Sequence, residues 1–350
     1  MSKKFFLITG GSGFIGSTFV RLALARGHRI INIDALSHPA CLDNLADVKS
    51  HNEYSFVHAD IRDRKILDSI FDKYEPGYVI HFAAETHVDE SIDEPLKFIE
   101  TNVTGTLNLL ECSRAYWNAN NNLKSFRFHH VSTDEVYGSL IDDSEEKFTE
   151  GTAYNPQNPY AATKASANHL VQAWNNTYNL PTIITNSSNN FGPYQFPEKL
   201  IPVSILRALA EESIIVYGDG ENIRDWLFVE DHAEALLLLT ETANIGRIYN
   251  IGGNNECTNL EIINTVCGIL DHLKPRITGS YADLITFVQD RPGHDWRYAI
   301  DTQRIREELS WTPKVRFREG LEKTVKWYLN NQNWWHEAAY HAKIRKGLRK

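Results

Sequence analysis

The chain of 350 residues is 42% hydrophobic and 11% aromatic with no low-complexity tract, which suits a well-packed α/β domain with an elaboration and excludes a disordered protein. A formal charge of −9, with no basic block interleaved with aromatics, speaks against a nucleic-acid or anionic-membrane surface. Four cysteines without C-x-x-C spacing or a nearby histidine cluster predict reduced thiols and no metal site, and no apolar run nears the ~20 residues of a membrane span.

The N-terminal "MSKKFFLITGG" begins like a signal peptide, but its apolar run meets Gly10 too soon for one, so a cytoplasmic chain is expected. "KFFLITG" reads as a first strand and Phe14 to Arg26 as a helix. Next come the strand-like "HRIINID", a polar loop, "YSFVHAD", a helix from Arg64 to Lys73, "GYVIHFAA", a long helix around Phe98 to Tyr116, and "FRFHHVST". Short continuous apolar strands alternating with helices predict an α/β fold: a doubly wound parallel sheet of Rossmann type, helices on both faces. From Asn189 the texture changes to "NNFGPYQFPEKLIP", which leaves the sheet, and "GRIYNIGG" returns to it. The expected division is 1–190 plus about 225–253 as the dinucleotide-binding part, about 191–224 and 254–335 as a smaller interleaved α/β substrate lobe, and 336–350 as a solvated basic tail.

The first turn, "ITGGSGFIGS", places Gly10, Gly13 and Gly16 between a strand and a helix, where side chains would obstruct the tight turn and the approach of a pyrophosphate. Asp34 ends the second strand 18 residues after Gly16, close to the ~20 expected for an acid that accepts both ribose hydroxyls. That carboxylate would repel a 2′-phosphate, which favours NAD over NADP. Asp60, ending the third strand, is a candidate for the adenine amino group.

In a parallel sheet ligands bind beyond the carboxyl ends of the strands, where "FHHVSTDEVYGS" places Thr133, Asp134 and Glu135. "NPYAATKAS" then opens like a helix, with Asn158 as cap and Pro159 at its first position. Tyr160 and Lys164 share one face of that helix. A phenol titrates near 10, so base action at neutrality needs a depression of ~3 units, about 4 kcal/mol, which Lys164 and a positively charged nicotinamide can supply.

With these motifs, from about Phe5 to Trp327, the sequence resembles the extended short-chain dehydrogenase/reductase family. The stretches "STDEVYG", "NPYAATKA", "NNFGPYQFPEKLIP" and "RPGHDWRYAID" look like its nucleotide-sugar 4,6-dehydratases. The resemblance implies oxidation of a sugar 4-hydroxyl by Tyr160, with Lys164 and Thr133 assisting. It also implies proton removal at C5 by Glu135, protonation of the departing 6-hydroxyl by Asp134, and return of hydride to C6. It adds Phe14, Ile15, Ile61, Ala83 and Ala84 to the cofactor set. For a nucleoside diphosphate sugar it implies Arg224 and Arg291 at the pyrophosphate, with His87, Asn190, Glu198, Lys199, Asn259, His294 and Tyr298 around the substrate.

The expected substrate is dTDP-glucose, with UDP-glucose left open because one methyl is worth only ~1–3 kcal/mol. A 4-epimerase would leave Asp134 and Glu135 without a task, as would a catalytically idle NAD-binding sensor. The family commonly has an arginine where this chain has Glu90. By the same resemblance the two long helices, with Leu170 and Trp174 as candidates, pair in a homodimer.

Overall fold

The computed structural model describes residues 5–37, 42–140, 145–290 and 295–336. Most of the expected tail, and the segment holding Arg291 and His294, lie outside the described residues.

In chain order the strands are β1 Phe5–Thr9, β2 Arg29–Asp34, β3 Tyr54–His58, β4 Tyr78–His81, β5 Arg127–Thr133, β6 Thr182–Ser187 and β7 Asn189–Phe191. They continue as β8 Ile214–Tyr217, β9 Ile223–Phe228, β10 Ile248–Ile251, β11 Glu256–Thr258 and β12 Ile285–Val288. Seven of them form one sheet in the order β10-β6-β5-β4-β1-β2-β3, every neighbouring pair parallel. Strand order reverses between β1 and β4, which opens a crevice at their carboxyl ends.

The apolar runs are continuous because the sheet is covered on both faces. Phe6 and Ile8 face the helices Phe14–Ala25 and Val229–Thr242, while Leu7 and Val79 face the helices Arg64–Tyr74 and Thr106–Ala119. Each such side chain, fully buried, contributes roughly 1.5–3 kcal/mol. β5 turns His129 and His130 to opposite faces. His129 sits between the hydroxyls of Thr240 and Thr185 (2.7 and 3.1 Å), and burial lowers its pKa to about 3, so it stays neutral.

Two local features position the site. Asn158 accepts from the Ala161 amide (2.8 Å) and Pro159 follows, so the helix Pro159–Tyr178 starts where the sequence predicts. The helix expected around Phe98 to Tyr116 instead starts at Pro95 and passes through a π turn over Ile99–Gly105. The buried Asn102 lies in that turn. Its Oδ1 accepts from the Glu85 amide (2.8 Å), and its Nδ2 donates to the Glu85 carbonyl (3.0 Å) and the Thr163 hydroxyl (2.9 Å). These contacts tie the end of β4 to the helix that carries Tyr160.

Beyond the main sheet, β7, β9 and β11 form a three-stranded sheet, and β8 pairs with β12. A second core gathers there around Phe191, Trp226, Phe228 and the helices Leu200–Leu209, Asn259–Leu273 and Phe317–Asn330. Among the described residues no helix is long and apolar enough to cross a membrane.

Leu170 and Trp174 pack against their own chain's core, and the Trp174 indole donates to Glu111 (2.8 Å). Among the described residues the exposed large apolar side chains include Ile92, Leu96, Ile99 and Tyr178, and, elsewhere, Tyr217 and Phe287.

Candidate active site

A single cleft runs along the carboxyl ends of β1, β2, β4, β5 and β6 and reaches β7. It is lined by all of the expected cofactor residues, by Thr133, Asp134 and Glu135, and by Asn190 and Lys199.

At one end the turn after β1 leaves no room for side chains. Gly10 has φ +73°, and a Cβ there would stand 2.6 Å from the Ala83 amide nitrogen. A Cβ on Gly16 would fall on the Gly10 carbonyl and the Gly11 Cα, so the helix Phe14–Ala25 can pack this closely only with glycine. Asp34 lies beside the turn, 5% exposed. Its two oxygens accept from the amides of Ser12 (2.9 Å) and Leu36 (2.8 Å), and the Ser12 hydroxyl adds a further hydrogen bond. Burial raises its pKa against those donors. The cradle and this acceptor fit a dinucleotide with a free ribose 2′-hydroxyl. Asp60 is also present, but Arg62 grips both its oxygens (2.7–3.1 Å) and reaches Glu100 (3.6 Å). Burial pushes the Asp60 pKa up, and the Arg62 hydrogen bonds outweigh it, holding the acid below its usual range.

At the centre, Tyr160 and Lys164 stand one helical turn apart, both buried. The Lys164 ammonium donates to the Val131 carbonyl (2.9 Å), and burial lowers its pKa to about 7. Burial raises the Tyr160 phenol, and Glu135 and Asp134 push it further, while a hydrogen bond with the Thr133 hydroxyl opposes the rise. Thr133 also accepts from the Glu135 amide (3.3 Å), capping the short turn Asp134–Tyr137 that presents both acids.

Those two acids differ in their surroundings. Asp134 is 1% exposed, and its Oδ2 has no hydrogen-bond partner among the described residues. Burial, then Glu135 and Asp225, drive its pKa well up, with Arg224 opposing. Burial also raises Glu135, but the nearby cations Lys199 and Arg224 and a hydrogen bond to Asn158 pull back toward the carboxylate. Of the pair, Asp134 is the acid that keeps its proton and Glu135 the one more readily ionised.

At the far end, Asn190 on β7 is locked on two sides. Its Oδ1 lies 2.9 Å from His232 Nδ1 and its amide donates to the Ser188 carbonyl (2.9 Å). The Lys199 ammonium reaches the Thr86 carbonyl (3.4 Å). Arg224 and Tyr298 adjoin Glu135 from outside the cleft wall. The guanidinium lies 4.3 Å over the ring and donates to the carbonyls of Asp295 (2.8 Å) and Trp296 (3.1 Å), and the Tyr298 hydroxyl donates to the Asp295 carboxylate.

His87 and Glu198 face each other at 3.7 Å, and His87 caps the helix Val88–Asp93. Asn259 opens its helix with its amide on the Asn222 carbonyl (3.1 Å) and does not line the cleft. Glu90 meets Lys97 at 2.8 Å, and the same ammonium reaches the buried Glu85 at 3.1 Å, so the cation of this corner sits at Lys97.

Sequence reasoning passed over Thr86, Thr101 and the run Ser187–Asn189, all in the cleft wall. "TNSSNN" at the end of β6 carries the signal already used for Asp134 and Glu135, polar residues ending a buried parallel strand.

Known proteins resemble this chain over nearly its whole length. The family model described as GDP-mannose 4,6 dehydratase matches residues 7–324. A dTDP-glucose 4,6-dehydratase of Neisseria meningitidis is 53% identical over 336 residues, covering 94% of each chain. Among solved structures, a dTDP-glucose 4,6-dehydratase of Bacillus anthracis in complex with NAD superposes with TM-score 0.85 at 40% identity, over 96% of this chain and 99% of that one. Its counterpart from Streptomyces venezuelae, with NAD and dTDP bound, gives 0.86 at 40% identity over 95% and 99%.

Proposed function

We propose that this chain, which belongs with the dTDP-glucose 4,6-dehydratases in the GDP-mannose 4,6 dehydratase family, removes water from dTDP-glucose to give dTDP-4-dehydro-6-deoxy-glucose. NAD is the cofactor that fits: the cradle at Gly10 and Gly16 admits a pyrophosphate, and the Asp34 carboxylate suits ribose hydroxyls and opposes a 2′-phosphate. When bound, it supplies the hydride acceptor for oxidation at C4 and gives the hydride back at C6.

The side chains account for the proton transfers. Tyr160 takes the proton of the 4-hydroxyl, and Thr133 orients phenol and sugar oxygen. Burial and the two acids hold that phenol protonated, so Lys164 and the positive charge of the oxidised cofactor are both needed to release it. The 4-ketone acidifies C5–H. Glu135, closer to its carboxylate form under Lys199 and Arg224, takes that proton and returns it to C5 when hydride adds at C6. Asp134, held neutral, gives one to the departing 6-hydroxyl. The observation that carries this reading is the pair of adjacent acids with unlike surroundings in one cleft with Tyr160 and Lys164.

Arg224, Lys199 and Asn190, with Arg291 and His294, are assigned to the nucleotide sugar, along with His87, Glu198, Asn259 and Tyr298. The parts 1–190 with 225–253 hold the cofactor, and 191–224 with 254–335 hold the substrate. A cytoplasmic homodimer completes the reading, with the half-buried Leu170 and Trp174 and the exposed Ile92, Leu96 and Ile99 as candidates for its contact face. Light scattering of the purified chain checks the dimer.

The function is tested by mass spectrometry of dTDP-glucose and UDP-glucose incubated separately with the protein and no added reductant. Loss of one water, faster with dTDP-glucose, is expected. Faster loss from UDP-glucose would reassign the base, unchanged mass with a C4 epimer would make it an epimerase, and no reaction would leave a sensor.

A further inference from the structure

The dinucleotide turn is held from behind by a residue of the last helical segment. Ser12, the one non-glycine in "GGSG", is fully buried, and both of its backbone polar groups are taken. Its amide donates to Asp34 (2.9 Å), and its carbonyl accepts from the side-chain amide of Asn44 (2.8 Å). Asn44 is 2% exposed, in the short turn Leu42–Leu45 after β2. Its other side-chain polar atom, Oδ1, accepts from the indole N–H of Trp334 at 2.9 Å, across 290 residues of sequence. Trp334 lies in the helical residues 332–336 and is steadied by Trp327 (4.9 Å between rings) and Tyr194 (5.8 Å, edge-on). Arg21, on the helix that starts from the turn, lies 4.1 Å over the Tyr194 ring and donates to the Asn44 carbonyl.

We infer that Trp334 is a positioning residue for the cofactor: through Asn44 it fixes the Ser12 peptide and thereby the glycine turn and the Asp34 carboxylate that receive the dinucleotide. A turn of three glycines and one serine has much backbone freedom to lose on binding, and tethering its central peptide beforehand reduces that loss. Without the indole N–H, Asn44 Oδ1 is left buried and unpaired. The side chain then turns to satisfy it, and Ser12 loses its donor. Trp334 touches neither the cleft nor the reacting groups, so its removal changes how long the cofactor stays and not how fast the bound site turns over.

This inference rests on the reading that the chain holds NAD, and the experiment separates the two. Holoenzyme is diluted and desalted, and the NAD retained per chain is followed by chromatography for the parent, Trp334→Phe, Asn44→Asp and the double variant. Asn44→Asp keeps an acceptor for Trp334 but not the donor for Ser12, so it probes the same link without disturbing the aromatic cluster. Either single change is expected to speed NAD release roughly 3- to 10-fold, the double change no more than the larger single one, with turnover at saturating NAD within about twofold of the parent. Release at the parent's rate from Asn44→Asp, or effects that multiply in the double variant, would overturn the inference. A parent that retains no NAD would instead overturn the cofactor reading beneath it.

Discussion

Two buried aspartates stand at the carboxyl end of one sheet in opposite condition. Asp34, closing β2, has an amide donor on each oxygen. Asp134, just past β5, has one oxygen without a partner among the described residues, and its neighbours include Glu135 and Asp225. Burial raises the pKa of both, but at Asp34 two amides oppose it directly while at Asp134 the carboxylates nearby add to it. The residue type is the same, and the amides within reach decide whether it serves as a fixed acceptor or as a store for a proton.

The largest effects should come at the reacting end. Glu135→Gln removes the group proposed as the base for C5, so turnover should fall by about 10²–10⁴ while oxidation at C4 continues. Accumulation of reduced cofactor by absorbance checks this, and unchanged turnover would remove Glu135 from the mechanism.

Asp134→Asn should slow water loss by about 10²–10³ yet leave thermal stability nearly unchanged, because a neutral acid is replaced by a neutral amide. A marked loss of stability would mean that Asp134 is held as a carboxylate, and the contrast with Asp34 would collapse. Asp34→Asn is the complementary change. It turns an NH₂ toward amide donors or leaves one unpaired, so NAD affinity should fall ~10- to 100-fold and stability by about 1–3 kcal/mol, read by calorimetry and denaturant melts.

A further effect, on stability rather than on turnover, concerns a cation. The folded pKa of Lys164, about 7, lies below its ordinary 10.5. Between those values the unfolded chain binds the proton and the folded chain does not, so stability rises with pH across that window. Lys164→Met should therefore stabilise the cofactor-free protein most near about pH 6 and progressively less toward about pH 9. A difference in melting temperature that is flat with pH would mean that the ammonium is not buried as described.

The strands and the glycine turn were legible because their signals are local: unbroken apolar runs, Gly10 and Gly16 where a Cβ cannot fit, Asn158-Pro159 at a helix start. Tyr160, Lys164, Asp134 and Glu135 could be placed because parallel sheets put ligands at one edge. What stayed hidden depends on distant partners. The π turn exists because Asn102 reaches Glu85 and Thr163, and nothing in "ETNVTGT" announces either contact. Leu170 and Trp174 read equally well as an outer or an inner helix face, and both are half-buried, touching the core behind them while the Trp174 indole reaches Glu111. Asn44 and Trp334 share no motif at all.

The position of β10 has a consequence for how the protein is made. β6 ends at Ser187 and its outer partner begins at Ile248, so synthesis delivers the sheet's seventh strand about 60 residues after the strand it must cover. Throughout that interval the nascent chain presents β6 as a bare edge, the kind of surface on which a neighbouring polysome's product can pair. A chain stopped before Ile248 should therefore sediment with aggregates, whereas the full chain should not.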